Sequence, residues 1–152
     1  VTVADRLSAL GLTLPPVATP AGAYLPAVRD GGLVWTAGQL PLVAGALPLT
    51  GLVGRDVTVE AAQALARTCV LNALAAIASV ADLDEVERVV KLVGFVASAD
   101  GFHQQPVVVN GASELIGEVF GVAGRHARSA VGVAALPLGA PVELEMVVRL
   151  RA

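Results

Sequence analysis

The segment Glu143-Leu144-Glu145-Met146-Val147-Val148-Arg149-Leu150-Arg151 carries the strongest structural signal in the chain. Leu144, Met146, Val148 and Leu150 alternate with Glu143, Glu145, Val147, Arg149 and Arg151. A period of two places the first set on one face of a β-strand and the second on the other. The strand therefore covers a core on one side and is partly polar on the other. A sheet with such a face needs a second layer, and helices are the usual one.

The rest of the chain supplies both. Val86 to Val96 is β-branched and mostly apolar, too uninterrupted for an edge strand. Arg128 to Val133 reads as a further strand. Leu25 to Arg29 and Leu33 to Thr36 flank Asp30-Gly31-Gly32, which suits a hairpin turn. Thr58 caps a helix running to about Val80, with Glu60 at its positive end. Ala62, Ala66, Cys69, Val70, Ala73, Ile77 and Val80 fall on one stripe of it. After Pro106 a second helix covers Asn110 to Phe120 and stops near Gly121. Gly38 to Asp56 is loop-rich, with room for one short strand. Ala4 to Leu10 forms a short helix ended by Gly11, followed by a Pro- and Gly-rich connector. The order predicts one α+β domain over residues 1–152, with two helices on one face of a mixed sheet; residues 1–19 form an N-terminal helix and connector.

Composition narrows the function. The net charge of −3, with three Phe, one Trp and one Tyr, gives no basic surface interleaved with aromatics for nucleic acid. Hydrophobic residues make up 55% of the chain and mean hydropathy is +0.74. A membrane protein or an oligomer would explain that excess. The apolar run between Arg67 and Asp82 falls short of the about 20 residues a span needs, and Gly31 to Gly54 is broken by Pro41 and Pro48. Burial in an oligomer is the better explanation. The N-terminus lacks a basic leader with an apolar core, so a cytosolic location is the default expectation. Cys69 stands alone on an apolar stripe and reads as a core thiol. His103 and His126 are distant in sequence from it and from each other, so no metal site is expected, and no phosphate-binding loop or nucleophile elbow is present.

Chemistry concentrates in His126 to Met146, HARSAVGVAALPLGAPVELEM. Arg128 opens a strand of small and apolar residues. It suits either a structural ion pair or a fork that grips a small carboxylate through parallel hydrogen bonds. Glu143 and Glu145 suit either a solvated strand face or acid–base work beside Arg128.

This block resembles the signature of the Rid (reactive intermediate deaminase, or YjgF) family: Arg-Ser, alternating valines, Leu-Pro, then a Val-Glu-hydrophobic-Glu strand. GAYLPAVRDGGLVWTAGQLPL and VVKLVGFVASADGFHQQPVVVNGASELIGEVFG are similar to two further family blocks, so the resemblance runs from about Pro20 to Arg151. It implies a chorismate-mutase-like fold with a six-stranded mixed sheet. It also implies a homotrimer closed around a central barrel, with a ligand cleft at each interface. The implied activity is hydrolysis of enamines and imines such as 2-aminoacrylate and 2-iminopropanoate to 2-oxo acids and ammonia, without a cofactor. By the same resemblance, Arg128 holds the substrate carboxylate and Glu143 directs the water, while Tyr24, Gly38 and Asn110 line the cleft. Ala37, Ala130 and Gly132 depart from residues common in the family. Chain length, the N-terminal helix and VNGAS resemble a longer, endoribonuclease-like subgroup. A trimer that binds a small carboxylate without turnover is the alternative; an endoribonuclease or translation inhibitor fits the composition less well.

Overall fold

The computed structural model describes residues 1–152. Five strands, β1 (Ala27–Asp30), β2 (Leu33–Thr36), β3 (Val86–Ala97), β4 (Ala127–Val133) and β5 (Val142–Leu150), form one sheet in the order β1-β2-β5-β3-β4. Only β3 and β4 run parallel. Helices α2 (Val59–Ala78) and α3 (Gln105–Phe120) cover one face, and a short α1 (Val3–Ala9) docks on α3 through an Arg6 Nη1 hydrogen bond to the Val119 carbonyl.

The alternation in β5 is realised as read: Val142, Leu144, Met146, Val148 and Leu150 are buried beneath the helices, while Glu145 and Arg149 are exposed. β3 is an interior strand, bonded to β5 on one side and to the edge strand β4 on the other. The core lies between this face and the helices, around Val34, Leu74, Ile77, Leu92, Leu115, Ile116 and Met146. Two glycines allow close packing there. A Cβ on Gly94 would stand 2.5 Å from a Val109 methyl, and one on Gly111 would press into the Gln63 backbone.

Three expectations need correction. The sheet has five strands, not six. Gly38–Asp56 contributes isolated bridges only, Gln39 to Leu144 and Val53 to Ser98 among them. Pro41 and Pro48 lack the N–H a ladder needs, and Gly45, Gly51 and Gly54 take positive φ. α3 begins at Gln105, five residues before Asn110, because Pro106 occupies its first turn, where proline is favoured. Burial of Val108 and Val109 outweighs the modest helix propensity of valine. Finally, the shortness of the run after Arg67 does not rule out a span: α2, capped by Thr58 as expected, starts at Val59, and its 20 residues match a membrane span in length and hydropathy. Its Leu74, Ile77 and Cys69 are wholly buried inside the domain, as in the core helix of a water-exposed fold.

The opposite face of the sheet has no helix over it. Val28, Trp35 and Val131 lie there 49%, 52% and 43% exposed, with Val93, Phe95 and Val147 in register between them. An uncovered apolar sheet face marks an association surface.

Candidate functional site

Arg128 pairs with Leu92 across the β3–β4 ladder, so its side chain leaves the sheet on the helical face. There Nη1 donates to Ser113 Oγ at 3.2 Å and Nη2 donates to the Pro106 carbonyl at 3.1 Å. No carboxylate reaches it; the ion pairs of the chain are Arg55–Asp56 and Arg67–Glu118. The guanidinium is thus half-buried, oriented at two points by neutral acceptors, and uncompensated in charge.

Ser113 is the hub of this arrangement. His126 Nε2 lies 2.9 Å from its hydroxyl, and His126 Nδ1 lies 2.6 Å from the Gly124 carbonyl. A carbonyl only accepts, so Nδ1 carries the hydrogen, and in that tautomer Nε2 accepts from the Ser113 hydroxyl. The serine lone pairs are then free to accept from Arg128. Asn110 sits one turn earlier on the same face of α3. With Ser113, Arg125, His126 and Arg128 it lines a polar cleft of about 400 Å³ that has no apolar residue in its wall.

Glu143 stands elsewhere. It pairs with Phe95 and projects from the opposite, uncovered face, half-buried. Its carboxyl lies against Gly38, where a Cβ would come within 3.0 Å of Cδ and Oε1. Glycine at 38 is what allows that approach. Burial raises the Glu143 pKa above the ordinary carboxylate value, and the charge of Glu145, two residues along the same face, raises it further. Burial likewise pushes the Cys69 thiol well up, with Glu143 adding to the shift, so the thiol stays protonated and inert in the core. Tyr24 is half-exposed, its hydroxyl accepting from the Ala21 N–H at 3.2 Å. Tyr24 and Gly38 line a second cleft of about 510 Å³ beneath the proline-rich connector.

The candidate residues therefore fall into two groups, Arg128 with Asn110 and Glu143 with Gly38 and Tyr24. Within one chain the groups do not meet. Arg128 and Glu143 face away from each other across the sheet, with β3 between their strands and about 10 Å between those backbones. No three His, Cys, Asp or Glu side chains converge as metal ligands. Sequence reasoning missed Ser113 and His126. They sit 13 residues apart, one on a helix and one before an edge strand, and nothing in residue type or spacing announces the pair.

Residues 4–149 match a family model described as YjgF/chorismate-mutase-like candidate endoribonucleases. The chain is 47% identical over 150 residues to Protein TCP17 of Trypanosoma cruzi, covering 97% of this chain and 94% of that one. Its structure is similar to that of Atu1372 from Agrobacterium tumefaciens, a protein of unknown function, with TM-score 0.90 and 46% identity over 99% of this chain and 93% of the other. A candidate endoribonuclease from Shewanella oneidensis superposes with TM-score 0.95 at 33% identity, over 99% of this chain and all of the other (100%).

Proposed function

Because this chain belongs to the YjgF/chorismate-mutase-like family, we propose that it hydrolyses 2-imino acids and their enamine tautomers to 2-oxo acids and ammonia, at clefts formed between subunits of a homotrimer. One observation carries the reading: a half-buried guanidinium, aimed by Ser113 and Pro106, opens onto a polar cleft with no acid of the chain beside it. Such a group is complete only with an anion bound. A planar carboxylate matches its fork.

An iminium carbon is already electrophilic, so the protein needs to position it and to supply water. Arg128 holds the acid end. Glu143, its pKa raised by burial, takes the proton from a water as that water adds to the C=N carbon. The carbinolamine so formed collapses with proton transfer to nitrogen, giving the 2-oxo acid and ammonia. Holding the two reactants in register contributes several kcal/mol of rate enhancement. The uncovered apolar face, with Val28, Trp35 and Val131, is the surface on which subunits pack, and since β4, which carries Arg128, is an edge strand, a neighbour's Glu143 group meets the Arg128 group around that edge.

The test is hydrolysis of 2-iminopropanoate, produced in place from alanine by an amino-acid oxidase and trapped with semicarbazide. The reading expects wild-type protein to divert imine from the trap and Arg128→Ala to lose that effect. If the two proteins are indistinguishable in turnover but only wild type binds pyruvate, the site is a carboxylate sensor without turnover. If neither binds nor reacts, the reading fails.

A further inference from the structure

The cleft beneath the connector is far larger than the smallest imines require. At about 30 Å³ per heavy atom, taking the volume of a water molecule as guide, an acid of about six heavy atoms fills about a third of its 510 Å³. Its wall is largely apolar, with Pro15, Pro20, Leu40 and Leu138 among the lining residues. Two buried amides interrupt that wall, Gln39 and Asn72, 6% and 3% exposed. Asn72 Nδ2 donates to the carbonyls of Leu40 and Leu42 at 2.9 and 3.0 Å, and Gln39 Nε2 donates to the Ala37 carbonyl at 3.3 Å. Those bonds fix which end of each amide is nitrogen. The oxygens, Asn72 Oδ1 and Gln39 Oε1, accept nothing within the chain. No fully buried side-chain oxygen or nitrogen lacks a partner, so neither oxygen is sealed in the core, and both residues line the cleft.

We propose that this cleft binds the side chain of the ligand, and that the ligand is a 2-imino or 2-oxo acid with a bulky apolar, aromatic-sized side chain ending in an N–H or O–H donor. The assignment rests on the reading above, in which a neighbour's Arg128 holds the acid end beside the Glu143 group, whose Gly38 and Tyr24 line this cleft. Apolar walls take up the ring, and the single hydrogen of a phenol or indole donor meets the Gln39 amide oxygen. A bare alkyl or phenyl group leaves that oxygen desolvated and unpaired, which costs affinity.

Titration of the full-length protein with pyruvate, phenylpyruvate and 4-hydroxyphenylpyruvate by calorimetry tests this. Binding should tighten at least tenfold from pyruvate to phenylpyruvate by ring burial, and about three- to tenfold more for the hydroxylated acid. Gln39→Met should erase the last step while retaining the first. Leu138→Trp, at a position 69% exposed whose positive φ a non-glycine side chain already holds, should obstruct the cleft and weaken both aromatic acids far more than pyruvate. Equal affinity for all three acids, or insensitivity of the aromatic acids to Leu138→Trp, overturns the assignment even if Arg128→Ala abolishes binding. Conversely, Arg128→Ala that leaves every acid bound sinks the carboxylate reading, whereas a surviving Leu138→Trp effect upholds the cleft.

Discussion

Two glycines of α3 offer a paired test of how the site is held, because the same substitution at each should have opposite sign. An alanine at Gly111 places its Cβ 2.9 Å from the Gln63 carbonyl carbon and 3.0 Å from its Cα, closer still to the oxygen, where about 3.5–4.0 Å is comfortable. The obstacle is backbone, so no side-chain rotation relieves it, and α2 and α3 must part. Overpacking of this kind costs about 1–3 kcal/mol. The gain in helix propensity returns about 1 kcal/mol. A contact so short belongs at the upper end of the range, so the net loss is about 1–2 kcal/mol. At Gly117 a Cβ meets nothing within 4 Å, so only propensity acts and Gly117→Ala should gain about 1 kcal/mol. Urea unfolding at fixed protein concentration, comparing midpoints at unchanged slope, reads both. Midpoints moving in the same direction would refute the packing described for the two helices.

Glu143→Gln should lower turnover about 10²–10⁴-fold, and the wild-type rate should fall as pH drops through a value above the ordinary carboxylate range, since the base must be ionised. Folding raises this pKa, so the native state holds the proton more tightly and the ionised carboxylate opposes folding above its unfolded pKa. Glu143→Gln should therefore be slightly more stable at neutral pH, with the difference vanishing below the ordinary carboxylate range. Half exposure keeps that gain under about 1 kcal/mol; thermal melts across pH check it. Ser113→Ala frees one end of Arg128 and leaves His126 Nε2 without its partner, so 2-oxo acid affinity should drop about three- to tenfold with little change in melting temperature. Cys69 should resist alkylation in native protein and react fully in denaturant, as mass spectrometry would show.

Strands and helices were legible where periodicity had a single cause. β5 alternates because one face meets helices, and Thr58 marks its helix through a 3.1 Å bond from the Ala61 N–H to its hydroxyl. α3 began earlier than expected because a proline and three valines, read locally, argue for extended chain, and only tertiary burial reveals a helix there. Of the candidate site, Arg128 and Glu143 stood out by residue type and by resemblance to a known signature. That they leave opposite faces of the sheet follows from register, which depends on how three strands pair and which no local pattern encodes. The Ser113–His126 contact joins a helix to the approach of an edge strand, and the amide oxygens of Gln39 and Asn72 matter only because a loop and a helix enclose one cleft.

Whether two protomers share each site can be read from a complementation experiment. Arg128→Ala and Glu143→Gln subunits, each inactive alone, are co-expressed and the mixed oligomers purified through two tags. In a three-fold ring each mixed trimer contains one interface of three with both native groups, so the purified mixed oligomers should regain about a third of the wild-type imine-hydrolysing rate. A mixture no more active than its parents, despite confirmed mixed oligomers, would contradict a shared site.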